Sequence, residues 1–531
     1  MSKSLIPDPI AQGLASGWSH LDASTLTQDR DFDTDVVIIG TGAGGALAAE
    51  LLSKAGLRVL MVEHGAFYSS SDFRQQERWA YPNLYQDGAG RKTKDQAIGI
   101  LQGRTVGGST TVNWTTSIRT PKGALAYWHE QFGVDFADEL TPYFDKACER
   151  LSISEWALTP NANNGLIQRG CEKLGWSYTI IHRNVNGCAN TGYCGMGCPI
   201  NAKQSMLVTT IPTALSHGAT LISRAQAWQL QWQGDAVSGL LVHPVDAQFQ
   251  PNPAIAIRIK AKHYVLAGGA INSPALLLRS NVPNPSGRLG KHTYLHPSVI
   301  CGALFDEDVK GAMGAPQSVY SDQFVWPSDP QAMGFKLEAA PVHPVLMASK
   351  LAVDGQAHAD LMAQFNQLAV TIALLRDGYH VEAQGGQVEL DSHGQPMLDY
   401  PLTEYFWRGV RQAYLAMAEL QFAAGAKAVM PIHQQAQLYS SLDEAKAAIN
   451  ALPLERYQAT VASAHVMGGC NFSADPANGV VRPDGRHHQL ANLSVLDGSV
   501  LPTSLGANPQ LTIYGLTWRN TELLIEQLRK A

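Results

Sequence analysis

The stretch Asp35-Val-Val-Ile-Ile-Gly40-Thr-Gly42-Ala-Gly-Gly45 decides the fold, together with the Ala46-Leu-Ala-Ala-Glu-Leu-Leu-Ser-Lys-Ala that follows and Arg58-Val-Leu-Met-Val-Glu63. Residues 36–39 are a short run of Val and Ile, which predicts a buried parallel strand. Gly40, Gly42 and Gly45 follow at G-x-G-x-x-G spacing, then a strong helical stretch ended by Gly56. Residues 57–62 predict a second strand with Glu63 at its end. Each glycine has a mechanical reason. Gly40 permits the tight turn, Gly42 lets backbone approach a pyrophosphate, and Gly45 lets the helix pack closely on the strand. The helix start then faces the phosphates with free N–H groups. Glu63, about 20 residues beyond the turn, is placed for the ribose hydroxyls. This is a Rossmann-like unit for an adenine dinucleotide, and the motif alone does not separate FAD from NAD.

Working outward, Gly103-Arg-Thr-Val-Gly107-Gly108-Ser-Thr-Thr-Val-Asn113 offers a second close backbone approach and several polar groups. A dinucleotide with a bulky ring system needs such a second wall. Residues 263–278 predict a further strand, turn and helix of the same unit, and residues 219–264 alternate in a way that suggests antiparallel strands. Residues 300–400 carry short strand-like runs among Pro and Gly, and helices are predicted over 404–424 and 441–451. The expected class is α/β, a Rossmann-like FAD-binding domain interrupted by a substrate domain with an antiparallel sheet and helices. The expected boundaries are 30–300, 301–460, and 461–531 as the return to the first domain. No internal repeat is evident.

At the far end, Asn492-Leu-Ser-Val-Leu-Asp497 predicts a strand ending in a turn. Asn508-Pro509 predicts the N-cap and first position of a helix reaching about residue 529. The positive end of that helix would stabilise negative charge beside Asn508. His465 lies in Ser463-Ala-His-Val-Met-Gly468-Gly469, whose glycines suggest close packing against a planar ring. A neutral imidazole accepts an alcohol proton near pH 7, and an amide can hold the same oxygen. His487 and His488 predict only a polar pair on a surface turn.

Composition narrows the classes. The chain has 531 residues, 45% hydrophobic, 16% charged, with a net charge of -6, so no basic footprint for nucleic acid is present. There is no run of 18 apolar residues, and the N-terminal stretch lacks an apolar signal core. The expectation is a cytoplasmic protein, with peripheral attachment to the inner membrane kept open. Seven cysteines without a signal sequence predict thiols and no disulfide framework.

These residues resemble the glucose–methanol–choline (GMC) oxidoreductases, a family of flavoenzymes. The likeness rests on Asp35–Glu63, Gly103–Asn113, Ala270–Leu278, Ser463–Cys470 and Asn492–Thr512. The Asn-Pro form of the last motif is similar to the cholesterol oxidase and long-chain alcohol oxidase branches. The resemblance implies His465 as base, Asn508 as its partner, and FAD contacts at Gly40, Gly42, Gly45, Glu63, Gly107, Gly108, Asn113 and Asp497. Residues 109–114 lack the His that tethers FAD in some relatives, which implies non-covalent FAD. Asn471-Phe472 departs from the Met-Gly pair of many relatives and bears on the substrate wall.

Cys188, Cys194 and Cys198 sit in a Gly-rich segment similar to that of long-chain alcohol oxidases and dehydrogenases. Their Cys-x5-Cys-x3-Cys spacing also resembles that of sugar dehydrogenases with a three-iron cluster, so a [3Fe-4S] centre and three plain thiols both stand as readings. The expected activity is oxidation of medium- and long-chain primary alcohols to aldehydes. The expected electron acceptor is a membrane quinone or a protein. Apolar runs at Leu346-Met-Ala and Leu361-Met-Ala would suit a hydrophobic alcohol. A sterol or terpenoid alcohol, a sugar, and a non-catalytic flavin-binding redox sensor are the alternatives.

Overall fold

The computed structural model of the chain describes residues 7–530. The nucleotide sheet has the strand order Ser19–Asp22, Thr220–Ser223, Val59–Val62, Arg30–Ile39, Ile257–Leu266, Ala236–Pro244 and Ala225–Gln233. Leu493–Val495 adds to the buried end of Ile257–Leu266, in parallel. Val36–Ile39 pairs in parallel with Val59–Val62, and helix Ala43–Lys54 makes the crossover, as a strand–Gly turn–helix sequence requires. The first strand begins at Arg30, earlier than its apolar run suggests, because its opening residues are mostly exposed and carry no apolar signal.

The antiparallel reading of residues 219–264 holds only in part. Ala225–Gln233 and Ala236–Pro244 do form a hairpin, and the start of Ile257–Leu266 pairs antiparallel with Ala236–Pro244 on its other side. Thr220–Ser223, however, runs parallel to Val59–Val62, and Ile257–Leu266 runs parallel to Arg30–Ile39. The last strand misled because its first half alternates between buried and exposed, while its last four residues are wholly buried. One strand thus carries both patterns.

The second large sheet has the order Ile98–Ile100, Val461–Ser463, Ser298–Leu304, Leu368–Leu375, Phe335–Ala339, Val319–Phe324 and Thr179–Ile180, with Ala428–Pro431 also on Ser298–Leu304. The chain therefore contributes strands to this sheet before residue 301 and after residue 460. Helix Glu404–Ala423 packs on it, its start capped by the Thr403 hydroxyl accepting from Phe406 N. Helix Leu442–Ala451 is capped likewise by Ser441. Met347 and Leu361, from the two apolar runs expected to meet substrate, are buried in the core of this half of the molecule.

A smaller sheet links the halves, in the order Pro396–Asp399, Gly386–Leu390, Lys291–Leu295 and Val466–Gly468. Two chain segments leave it side by side for the large substrate sheet. One runs from Lys291–Leu295 to Ser298–Leu304, and the other from Val461–Ser463 to Val466–Gly468. His296 and His465 occupy those two crossings. Sheet topology alone brings these imidazoles together.

Candidate active site

One cavity runs from the glycine turn to the second histidine crossing. Its walls include Gly40, Gly42, Glu63, Gly108, Asn113, Asp497, His465 and Asn508. Gly45 and Gly107 support it without lining it. A side chain at Gly45 would overlap the Gly40 carbonyl, and one at Gly107 would overlap the Thr111 hydroxyl. Gly40 has φ of 101°, and a Cβ there would overlap the Ala267 carbonyl. Gly42 differs, because a Cβ there meets nothing closer than Gly108 Cα at 4.0 Å. Its open side is the cavity. Gly44, which the spacing argument passed over, is the tightest of the group, since a Cβ there would overlap the Leu496 carbonyl. Its place beside Gly45 was the available signal.

Glu63 is buried, and its carboxylate accepts from Thr41 N (3.0 Å), Thr41 Oγ1 (2.6 Å) and Gly65 N (2.8 Å). Burial pushes its pKa up while these donors oppose the shift. Thr41 Oγ1 also accepts from Gly107 N (3.0 Å), so the glycine turn and the 103–113 loop are tied together. Asp497 accepts from Gly269 N (2.8 Å), Ser273 Oγ (2.6 Å) and Ser499 N (2.8 Å). It thereby fixes the start of helix Gly269–Arg279 against the cavity. Asn113 Nδ2 donates to Gln510 Oε1 (2.7 Å), and Gln510 Nε2 donates to Thr116 O (2.8 Å) and Ser117 Oγ (2.9 Å). The arrangement fits an adenine dinucleotide: a buried acid at one end, a helix start with free N–H groups, and glycines whose missing side chains leave room.

At the other end, His465 Nδ1 lies 3.0 Å from His296 Nδ1, and His465 Nε2 lies 3.4 Å from Asn508 Nδ2. His296 Nε2 accepts from Gly506 N (3.0 Å) and Leu505 N (3.3 Å). Asn508 Nδ2 also reaches Glu338 Oε2 (3.4 Å), to which Gln317 Nε2 donates at 2.8 Å. Burial, then the charge of Lys336, lowers the His465 pKa to about 3. Burial and the neighbouring His465 push His296 well below its ordinary value. Burial raises the pKa of Glu338 and lowers that of Lys336 to about 8. Both rings are therefore neutral in the pH range of ordinary chemistry.

Four local expectations change. Asn508 does not cap the last helix with its side chain. The helix spans Gln510–Lys530, and the Pro509 carbonyl accepts from Ile513 N (3.0 Å). Pulled toward Glu338 and His465, the amide is diverted from a capping role. Gly468 and Gly469 do not face the cavity. Both have positive φ, and they let the backbone lie against His292 and Thr293 of the linking sheet. His487 is buried, with Nδ1 accepting from Gln489 N and Leu490 N (3.2 Å each), because the turn folds under neighbouring segments. Asn471 and Phe472 are also core residues. Asn471 Nδ2 donates to Leu501 O (2.8 Å), and Phe472 packs edge-on to Trp128 and Phe136.

Cys188, Cys194 and Cys198 are free thiols near one another that do not line the cavity. Their sulfurs approach Asn190 N (3.4 Å), Arg183 Nη2 (3.5 Å) and Lys203 N (3.5 Å), respectively. Among the described residues, no group of three His, Cys, Asp or Glu is arranged to hold a metal ion. The cluster reading thus finds no support, and the loop is held instead by Lys203. This buried ammonium donates to Thr111 O (2.7 Å), Asn113 O (2.9 Å) and Cys194 O (2.8 Å). Among the described residues, no helix is long and apolar enough to cross a membrane.

Sequence reasoning missed His296, Glu338, Gln317 and Lys336. Glu338 and Lys336 alternate with apolar residues in Phe335-Lys-Leu-Glu-Ala, the pattern of any half-exposed strand, yet every residue of this one is buried. His296 in Leu295-His-Pro gave no local hint, since its partner is 169 positions away.

Known proteins agree with this architecture. A GMC oxidoreductase family model matches residues 81–298, and a second matches residues 382–517. An FAD binding domain model matches residues 33–71. A long-chain-alcohol oxidase of Arabidopsis thaliana is 27% identical over 95% of this chain and 69% of its own length. An uncharacterized GMC-type oxidoreductase of Sinorhizobium fredii is 28% identical over 94% of this chain and 96% of its own. Among solved structures, formate oxidase of Aspergillus oryzae superposes with a TM-score of 0.66 at 16% identity, covering 95% of this chain and all of that one. Pyridoxine 4-oxidase from Mesorbium loti gives 0.66 at 18% identity, covering 94% and 99%. With the two models spanning both halves and the glycine turn in its FAD-binding place, the chain belongs to the GMC oxidoreductases.

Proposed function

We propose that the protein oxidises medium- and long-chain primary alcohols to aldehydes, with FAD held non-covalently. The observation that carries this reading is the position of His465 Nε2 and Asn508 Nδ2. They stand 3.4 Å apart on the wall of the same cavity that passes the glycine turn. Two polar side chains at that spacing can hold one hydroxyl oxygen between them. FAD, when bound, supplies the acceptor for the hydride of the carbinol carbon. The protein residues would do the rest. Glu63 and the free amides of the first helix would hold the dinucleotide. Asp497 would keep the Gly269 helix start in place, and the His465–Asn508 pair would fix the oxygen. His465, as the ring at that oxygen, is the expected site of proton handling. The long-chain-alcohol oxidases among the relatives support the choice of aliphatic alcohols over sugars.

The test is anaerobic bleaching of the yellow protein by octanol, dodecanol, hexadecanol, glucose and a sterol. Fastest bleaching by an aliphatic alcohol is expected. Faster bleaching by glucose than by every aliphatic alcohol would overturn the substrate class, and a sterol preference would select that alternative. Stoichiometric peroxide in air would make oxygen the acceptor in place of a quinone or protein.

A further inference from the structure

Arg91 is a buried cation for which the protein supplies no counter-charge. It is 8% exposed and lies on the cavity wall. Its Nη1 donates to Gln102 Oε1 (2.9 Å), its one side-chain hydrogen bond among the described residues. No carboxylate among them forms an ion pair with it, and the acid it feels is the exposed Asp87. Burial pushes its pKa down to about 10. Its other N–H groups are not sealed in protein, so they open on the cavity. Arg279, on the same wall, is the contrast. Its guanidinium is committed to three carbonyls, those of Trp228, Gly394 and Ala227. A cation withdrawn from water and left unpaired costs free energy, and a fixed one on a cavity wall calls for an anionic ligand.

The fold holds this side chain beside the glycine turn. Arg91 O accepts from Ile100 N (2.8 Å), and Lys92 pairs with Gly99, so the backbone is pinned to strand Ile98–Ile100. Gln102, which anchors the guanidinium, precedes Gly103. A Cβ at Gly103 would strike the Gly108 carbonyl, and one at Gly108 would come within 2.7 Å of Gly42 Cα. The three glycine backbones thus lie side by side, with the Arg91–Gln102 pair at their border. Arg91 is also close to His64, the residue after Glu63. Burial first, and then the charges of Arg104 and Arg91, lower the His64 pKa to about 4. The chain just before Arg91 is strained: Asp87, Gly88 and Ala89 follow one another at φ of 51°, 62° and 66°. Such backbone persists only where the surroundings over-determine it, and it collects at ligand clamps.

From these contacts we propose, resting on the FAD reading above, that Arg91 binds the pyrophosphate of FAD. The glycine turn offers backbone N–H groups and a helix start, whose charge is partial. Arg91 adds a whole charge and a planar fork able to grip phosphate oxygens. The alcohol oxygen belongs at His465 and Asn508, away from the Glu63–His64 stretch where this cation stands, and the expected substrate is uncharged. The cofactor is therefore the anion that Arg91 meets.

The experiment uses the full chain freed of flavin and titrated with FAD, read by quenching of flavin fluorescence. Arg91→Gln should weaken FAD binding by about 10–100-fold, the usual effect of losing charge-assisted hydrogen bonds. Arg91→Lys, a charge without the fork, should fall between. Added salt should weaken FAD binding less in Arg91→Gln than in wild type. Melting separates binding from structure. Without flavin, Arg91→Gln should melt no lower than wild type, because an unpaired buried cation has been removed. At one fixed FAD concentration it should gain less than wild type. FAD affinity within about threefold of wild type would overturn the proposal. An equal loss of melting temperature with and without FAD would overturn it too, since that marks a structural residue. So would unchanged FAD binding with slower flavin reduction by an ω-hydroxy fatty acid and not by dodecanol, which assigns the cation to a substrate carboxylate. Should Arg91→Gln fail to fold, Arg91→Met, of similar reach and no charge, is measured in its place. A wild type that takes up no FAD would sink the cofactor reading itself, whereas FAD binding that ignores Arg91 sinks this proposal alone.

Discussion

At the glycine turn the cavity wall is backbone. Gly40, Gly44 and Gly45 are fixed by what their missing side chains would strike, and the three glycines themselves lie within a single βαβ unit. At the opposite end the wall is side chain. His465, His296, Asn508, Glu338 and Gln317 come from five separate stretches, and each is oriented by another. A backbone device is written in consecutive residues. A side-chain network is written in sheet topology, where two crossings happen to run side by side. The first should be intolerant to any added atom, and the second should tolerate atoms but not a changed pattern of donors and acceptors.

The largest expected effect breaks the backbone end. Gly44→Ala puts a methyl into the Leu496 carbonyl, and the backbone cannot yield without parting the helix from the sheet. We expect a loss of stability above about 4 kcal/mol and little folded yellow protein, read by thermal melting and flavin content. A normal melting temperature would show that this contact is not rigid. Next comes the side-chain end. His465→Ala should fold, yet slow flavin reduction by alcohol by about 10²–10⁴-fold, measured by anaerobic stopped flow. Asn508→Ala removes one donor and should cost about 10²–10³-fold in the same measurement. A rate equal to wild type in either variant would remove that residue from the oxygen site.

Two smaller effects sharpen the comparison. Gly42→Ala meets only Gly108 Cα, at 4.0 Å and without overlap, so its stability should stay within about 1 kcal/mol of wild type. Because its open side faces the cavity, FAD retention should fall nevertheless. Equal FAD affinity in the two proteins would separate Gly42 from the dinucleotide. His263, buried against Ser494 Oγ at 2.9 Å in the nucleotide sheet, has its pKa lowered to about 4 by burial and by Arg486. A histidine with a folded pKa below its unfolded value near 6.5 gives the unfolded state more protons between those limits. Stability should therefore drop as pH falls from about 6.5 to 4, and His263→Gln should make that slope shallower in melting experiments. An unchanged slope would assign the acid loss to other buried histidines.

The same contrast accounts for what could be read from the chain alone. The glycine spacing, Glu63 and the helix from Ala43 were legible because their geometry is local. The helices at 404–423 and 442–451 were legible from period and caps. Strand direction over 219–264 was not, because alternation reports exposure and not whether a neighbour runs parallel. His465 and Asn508 were singled out by the Gly pair and the Asn-Pro helix start, and their roles were then implied through resemblance, since a lone His or Asn carries little local signal. Their partners His296 and Glu338 were invisible. Glu338 is in a strand whose alternation promised a solvent-facing acid, and only the layer packed over Phe335–Ala339 buries it. At Cys188, Cys194 and Cys198 the spacing left a metal centre and three plain thiols both open, because spacing permits ligation without supplying its geometry, and among the described residues no metal-holding group is found.

On the proposed reading both ends of the cavity serve one reaction, with a carbinol hydrogen leaving beside His465 and Asn508. Anaerobic reduction of the bound flavin by dodecanol, compared with dodecanol carrying deuterium at C1, tests it most directly. Bleaching by both is expected, distinctly slower with deuterium, and with the rate collapsing in His465→Ala. A flavin that dodecanol leaves oxidised, or bleaching equally fast in wild type and His465→Ala, would contradict it.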